Sequence, residues 1–148
     1  MKKLTTIIAG LFLLCAASAF TPIDNVSSTV KAVFEQDFST VSAVKWTNYE
    51  NIYVASFKEK GADVSAVYTL EGQLICIGRS VALSQLPLKV TRALENKYAG
   101  YKINPEVVEI STDVTSYVIY AENNKFKLKI SADTSGNLTI EDKTKKKQ

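Results

Sequence analysis

Apolar positions along the chain fall into two helical stripes, each followed by a run of short alternating segments. Val30, Val33, Phe34 and Phe38 recur at helical spacing and predict a helix from Ser27 or Ser28 to Phe38. A serine before that stripe is suited to cap the first turn. Val90, Leu94 and Tyr98 predict a second helix from Pro87 to Ala99. Pro87 suits its first position and Gly100 its stop. Strands are expected at 43–47, 52–57, 64–70 and 73–81 after the first helix, and at 107–111, 116–121, 125–131 and 137–141 after the second. Turn residues separate them, among them Glu59-Lys60-Gly61, Glu71-Gly72, Asn123-Asn124 and Asp133-Thr134-Ser135-Gly136. Such short connections join antiparallel neighbours.

The order reads as one unit written twice. Phe34-Glu35-Gln36-Asp37-Phe38 aligns with Leu94-Glu95-Asn96-Lys97-Tyr98, and Gly72-Gln73-Leu74 with Gly136-Asn137-Leu138. The half-repeats run from about 26 to 81 and from 87 to 141. Each alone offers too small a core, so one shared core within a single domain over 20–142 is expected.

Several of these residues carry a resemblance. They are Val44-Lys45-Trp46, Tyr53-x-x-x-Phe57, Ala66-Val67-Tyr68 leading into Glu71-Gly72-Gln73-Leu74, and Leu86-Pro87 opening a helix that ends Lys97-Tyr98-Ala99-Gly100-Tyr101. The sequence resembles the β-lactamase-inhibitor-like, PepSY-like family of exported bacterial proteins of the Bacteroidota type, over about Val33 to Ile140. The resemblance implies an α+β fold, with helices on antiparallel sheets, a sheet face open to partners and an inhibitory or binding role in the periplasm. It names no catalytic residue.

Alternation assigns the strand faces. In the second half Phe126, Leu128 and Ile130 point one way and Lys125, Lys127 and Lys129 the other, giving one packed and one wet face. The first half separates less cleanly. If Tyr53, Ala55, Phe57, Ala66, Tyr68, Leu74 and Cys76 point inward, an apolar outer stripe of Ile52, Val54, Val67, Ile75 and Ile77 remains. That stripe, with Tyr49 and Trp46, is the candidate partner-binding face; the alternatives are that the two sheets wrap a common core or that the N-terminal segment covers this face. An aromatic cleft of Trp46, Tyr49, Tyr53, Tyr68 and Tyr101 is the alternative, suited to a small molecule or glycan.

Composition narrows the chemistry. The 148 residues include no histidine, which removes Ser-His-Asp and Cys-His catalysis and histidine-ligated metals. No nucleotide-binding or nucleophile-elbow motif is present. Asp133-Thr134-Ser135-Gly136-Asn137 lacks the ligand spacing of a calcium loop and reads as a hairpin turn. No cofactor, metal or catalytic residue is expected.

Met1-Lys2-Lys3, the apolar run to Ala16 and Ala17-Ser18-Ala19 form a signal-peptide pattern over 1–19, with cleavage near Ala19. Cleavage removes Cys15 and leaves Cys76 alone, a small buried hydrophobe without a disulfide partner. The formal charge of +3 is concentrated in Lys2, Lys3 and a basic tail over 143–148, read as a solvated end. The remainder is mildly acidic, unlike a nucleic-acid binder. The sequence thus predicts a periplasmic or secreted non-enzymatic module, with no membrane span after signal cleavage. Its expected partner is a periplasmic or cell-envelope protein.

Overall fold

The computed structural model describes residues 25–147, so the signal-peptide expectation, Cys15 and the cleavage site lie outside the described residues. The described residues are α+β, with two α-helices, nine strands and antiparallel ladders, and divide into two compact units with the boundary in the chain between Arg79 and Ser80.

The first unit contains α1 (Ser28–Asp37) and the meander β1 (Val44–Tyr49), β2 (Ile52–Glu59), β3 (Ala62–Thr69) and β4 (Leu74–Ala82), each strand paired with the next; β4 runs past the boundary. α1 buries Val30 and Phe34, two residues of the stripe that predicted it. Ser27 precedes the helix but makes no side-chain cap bond. Under α1, Trp46, Ala55, Ala66 and Ile77 form one cross-strand row on one face. The two fully buried alanines leave room for rings. Phe34 meets Trp46 and Phe57 edge-on, with centroids 5.2 and 5.3 Å apart.

The second unit contains a 3₁₀ turn (Leu83–Gln85), α2 (Leu88–Lys97), β5 (Lys102–Ile103), β6 (Glu106–Ser111), β7 (Thr115–Glu122), β8 (Phe126–Asp133) and β9 (Leu138–Lys145). β6 to β9 form a second meander; β5 and β6 share one edge of β7, separated by Asn104 and Pro105. Pro105 has no N–H for a ladder, which accounts for the break. α2 buries Val90 and Leu94 against Tyr117, Ile119, Leu128 and Ile130.

Four differences from the sequence reading have physical causes. The buried apolar side chains form two clusters, one under each helix, where one shared core was expected. Pro87 is the N-cap of α2 rather than its first residue, and the helix stops at Lys97 before Gly100, which lacks a positive φ. Both helices close on an aromatic: Phe38 N–H donates to Phe34 O and Tyr98 N–H to Leu94 O, each at 2.8 Å. Finally, β9 extends to Lys145 instead of fraying after Glu141. Asp142 faces Lys129 and Thr144 faces Lys127; Lys143 Nζ stands 4.1 Å from the Phe126 ring, and Lys146 Nζ pairs with Glu122 at 3.1 Å.

Candidate functional site

The face of β1–β4 turned away from α1 follows from the register. Val54 opposes Thr47 on one side and Val67 on the other, and Val67 opposes Cys76. Tyr49, Ile52 and Thr69 form the neighbouring row towards one end; Lys45, Ser56, Ser65 and Gly78 form the row towards the other. Ser56 and Ser65 hydroxyls lie 3.4 Å apart.

The structure keeps part of the expected stripe and moves part of it. Ile52, Val54 and Val67 share the face away from α1, as expected. Ile77 does not: it opposes Ala66 and packs on the cluster beneath α1. The cause is a bulge. Tyr68 pairs with Leu74 while Val67 pairs with Cys76, so Ile75 is an extra residue and the alternation of β4 inverts beyond it. Cys76 therefore takes the place expected for Ile75 and Ile77. Its thiol is buried and its pKa is pushed up to about 12 by that burial, which keeps it neutral at ordinary pH. The expectation of an exposed stripe is also corrected at its centre, since Val54 and Val67 are only 2% and 3% exposed. Ile52 and Ile75 are half-buried, and Tyr49 is 38% exposed.

The aromatic cleft is not assembled. Trp46 is buried beneath α1, and Tyr68 is fully buried 6.2 Å from it. Burial, then the charge of Asp37 and its 3.5 Å hydrogen bond, holds the Tyr68 phenol well above its ordinary pKa. Tyr53 is half-buried against the same cluster, and Tyr101 packs edge-on to Tyr98 within the second unit.

Sequence reasoning did not anticipate a further cleft. In the second unit a cleft of ≈ 450 Å³ is lined by Lys102, Asn104, Tyr120, Glu122 and Lys127, with Pro105 and Leu128 among its apolar walls. Lys102, Glu122 and Lys127 stand side by side across β5, β7 and β8. Lys146 holds the Glu122 carboxyl below its ordinary pKa through hydrogen bond and charge. The Tyr120 hydroxyl is shielded from solvent and has no hydrogen-bond partner; burial raises its pKa, so it stays a donor. Alternation did place Lys127 on the wet face, but the two-residue β5 carries no periodic signal to bring Lys102 beside it.

The Asp133 carboxylate is occupied by its own turn. It accepts from Ser135 N–H at 2.9 Å, Asn137 N–H at 3.0 Å and Asn137 Nδ2 at 2.7 Å, and these bonds lower its pKa. This is the hairpin turn the sequence favoured. Among the described residues no group of three or more His, Cys, Asp or Glu could hold a metal, and no helix is long and apolar enough to cross a membrane.

No family profile and no curated protein matches the sequence. Solved structures do. A DUF2874 family protein from Bacteroides ovatus ATCC 8483 is 17% identical with a TM-score of 0.72, covering 83% of this chain and 89% of that one. A proposed periplasmic protein from Bacteroides eggerthii DSM 20697 is 15% identical with a TM-score of 0.72, covering 82% and 89%. A BLIP-like protein from Bacteroides fragilis NCTC 9343 is 16% identical with a TM-score of 0.71, covering 83% and 88%. The resemblance read from the sequence holds at the level of architecture: this chain has the fold of the BLIP-like and DUF2874 proteins of Bacteroides.

Proposed function

We propose that this chain is an exported, non-enzymatic binding module that engages a periplasmic or cell-envelope protein through the face of β1–β4 turned away from α1. The observation that carries the reading is the apolar row of Val54, Val67 and Cys76, continued by half-buried Ile52 and exposed Tyr49, on the face opposite α1. A meander with a helix on one side ordinarily has a polar second face. Tyr49 and Ile52 form the accessible end of that face, and an exposed aromatic beside apolar neighbours suits a protein contact. The similar protein described as periplasmic supports export, as does the signal-peptide pattern over 1–19. The histidine-free composition removes Ser-His-Asp and Cys-His catalysis, which favours a role in binding.

We also infer that the two units arose by duplication. Val30 and Phe34 in α1 correspond in spacing and burial to Val90 and Leu94 in α2, and both helices close on an aromatic cap.

A photo-crosslinking amino acid at Tyr49, in cells of the source bacterium, tests the binding reading. One discrete adduct is expected, abolished by Ile52→Lys and kept by Lys58→Gln. An adduct indifferent to Ile52→Lys in a folded variant would remove this face from the proposal.

A further inference from the structure

We propose that the outer edge of β9, in the second unit, takes an extended acidic peptide segment as an added strand, independently of the partner face described above. Among the described residues β9 pairs with β8 on one side and is the last strand of its ladder on the other. Two hydrogen bonds fix which of its backbone groups turn outward. Asn137 O accepts from Asp133 N–H at 3.2 Å and Lys146 N–H donates to Lys125 O at 2.9 Å, so both residues turn their groups towards β8. Antiparallel bonds alternate from side to side along a strand. Counting inward from each end, Leu138, Ile140, Lys143 and Lys145 turn their N–H and C=O outward, and the bulge at Glu141 absorbs the odd residue. Leu138 agrees, because its carbonyl accepts from Lys97 Nζ of α2 at 3.4 Å.

The same four side chains share the face that carries α2. They stand opposite Ala132, Ile130, Leu128 and Phe126, which lie in or against the core under that helix. The cover is incomplete: Ile140 is 44% exposed although Ile130 opposite it is fully buried. An incoming strand therefore meets outward backbone donors and acceptors, with apolar side chains at one end of the row and two ammonium groups at the other. α2 adds cations on this flank, since Lys89 lies against Gly136 and Lys97 reaches Leu138.

The charges decide what kind of strand fits. The acids of β9 lie on the other face, where Glu141 accepts from Ser131 Oγ at 2.8 Å and Asp142 stands opposite Lys129. Glu95, the one acid of α2, falls on the flank away from Lys89 and Lys97 at 3.6 residues per turn. No carboxylate of β9 or α2 therefore answers Lys97, Lys143 and Lys145 on their own face. A second copy of this chain is a poor occupant, because β9 against β9 sets four lysines on one face. Acidic side chains beside Lys143 and Lys145, with an apolar one beside Ile140, complement the row.

The test is titration of the ¹⁵N-labelled protein with the acetylated, amidated heptapeptide Glu-Thr-Glu-Thr-Val-Thr-Val. In antiparallel pairing it sets glutamates beside Lys145 and Lys143 and a valine beside Ile140. Two further probes are its analogue with lysine for glutamate and its analogue N-methylated at both valines, which keeps the charge and loses strand donors. Saturable shifts are expected at the amides of 138–145 and of Lys97, about tenfold weaker with either analogue. Lys143→Glu with Lys145→Glu should reverse the preference to the lysine peptide; if that pair disturbs the fold, Lys143→Gln with Lys145→Gln should weaken the acidic peptide several-fold. Equal binding of the N-methylated peptide would reduce the site to charge alone. That result, shifts confined to other residues, no saturable shift, an unchanged preference in the folded variants, or concentration-dependent shifts of β9 without peptide, which mark a second copy, would each overturn the proposal.

Discussion

The hairpin joining β3 to β4 and the one joining β8 to β9 use one hydrogen-bond scheme with different chemistry. In the first unit Thr69 N–H donates to Gln73 O at 2.9 Å, Gly72 N–H to Thr69 O at 3.1 Å, and Gln73 N–H to Thr69 Oγ1 at 3.2 Å. In the second, Asp133 N–H donates to Asn137 O at 3.2 Å, Gly136 N–H to Asp133 O at 3.1 Å, and Asn137 N–H to Asp133 Oδ1 at 3.0 Å. Each turn glycine has a positive φ and lies against the first turn of its own unit's helix. A hydroxyl serves in one unit where a carboxylate serves in the other. The backbone scheme is therefore the constraint, and the side chain that completes it is free to change.

The cores differ in the same manner. Phe34 and Leu94 are each 3% exposed at matching places on their helices, but Phe34 sits among Phe38, Trp46, Phe57 and Tyr68, and Leu94 among mostly aliphatic neighbours. Phe34→Ala should cost about 3–5 kcal/mol and Leu94→Ala about 2–5 kcal/mol in urea unfolding. The Phe34 variant should exceed the Leu94 variant, because it also loses edge-on ring contacts. A larger loss at Leu94 would show that the aromatic cluster is the more forgiving core.

The glycines sharpen the comparison at the next scale. A methyl group on Gly136 would sit 2.6 Å from Lys89 O, whereas one on Gly72 would meet Thr29 Cγ2 at 3.4 Å. Gly136→Ala combines left-handed strain with a backbone clash and should cost about 2–5 kcal/mol. Gly72→Ala carries the strain alone and should cost about 1–2 kcal/mol. Thermal unfolding of the two variants measures the difference; equal losses would mean that the helix yields to the second turn as easily as to the first.

That glycine pair was legible in the sequence, as were both helices and eight of the strands, because each rests on local periodicity or turn chemistry. The candidate face was legible only as far as alternation survives. Val54 and Val67 follow it; Ile77 does not, because an extra residue at Ile75 inverts every side chain beyond it. Nothing in Leu74-Ile75-Cys76-Ile77 announces a bulge, since any of the four fits either face. Trp46 was misplaced for a related reason: an aromatic in a short strand reads equally as rim or as core, and only the paired alanines across from it show that the ring is inside. The cleft beside Tyr120 depends on a two-residue strand after a proline-interrupted loop, a tertiary juxtaposition with no period of its own.

The two faces turned away from the helices also differ, with Cys76 among apolar neighbours in one unit and lysines beside carboxylates in the other. Burial raises the Cys76 thiol, so the folded protein should resist iodoacetamide at pH 8.5 and react once unfolded in urea. The sign for stability follows. The unfolded thiol ionises near about pH 8.5 and the folded one only at about 12, so the stabilisation is full below the first value and falls as pH rises towards the second. Cys76→Ala should flatten that alkaline decline; rapid alkylation of the native protein would show the face to be open at its centre.

The smallest expected effect returns to the turns. Hydrogen bonds from Asn137, Ser135 and Gly136 hold the exposed Asp133 carboxyl below its ordinary pKa, so its contribution is present above the unfolded carboxylate pKa and is lost as pH falls through the lowered value. Thr69 has no such charge to lose. Asp133→Thr should therefore remove a small acid-side loss of stability, and Thr69→Asp should introduce one, both read as the change in urea midpoint between pH 6 and pH 2.5. If the scheme is shared, the acid sensitivity travels with the carboxylate from one turn to the other. If Thr69→Asp leaves the acid response unchanged, the first turn cannot seat a carboxylate as the second does, and the likeness between the units stops at the backbone.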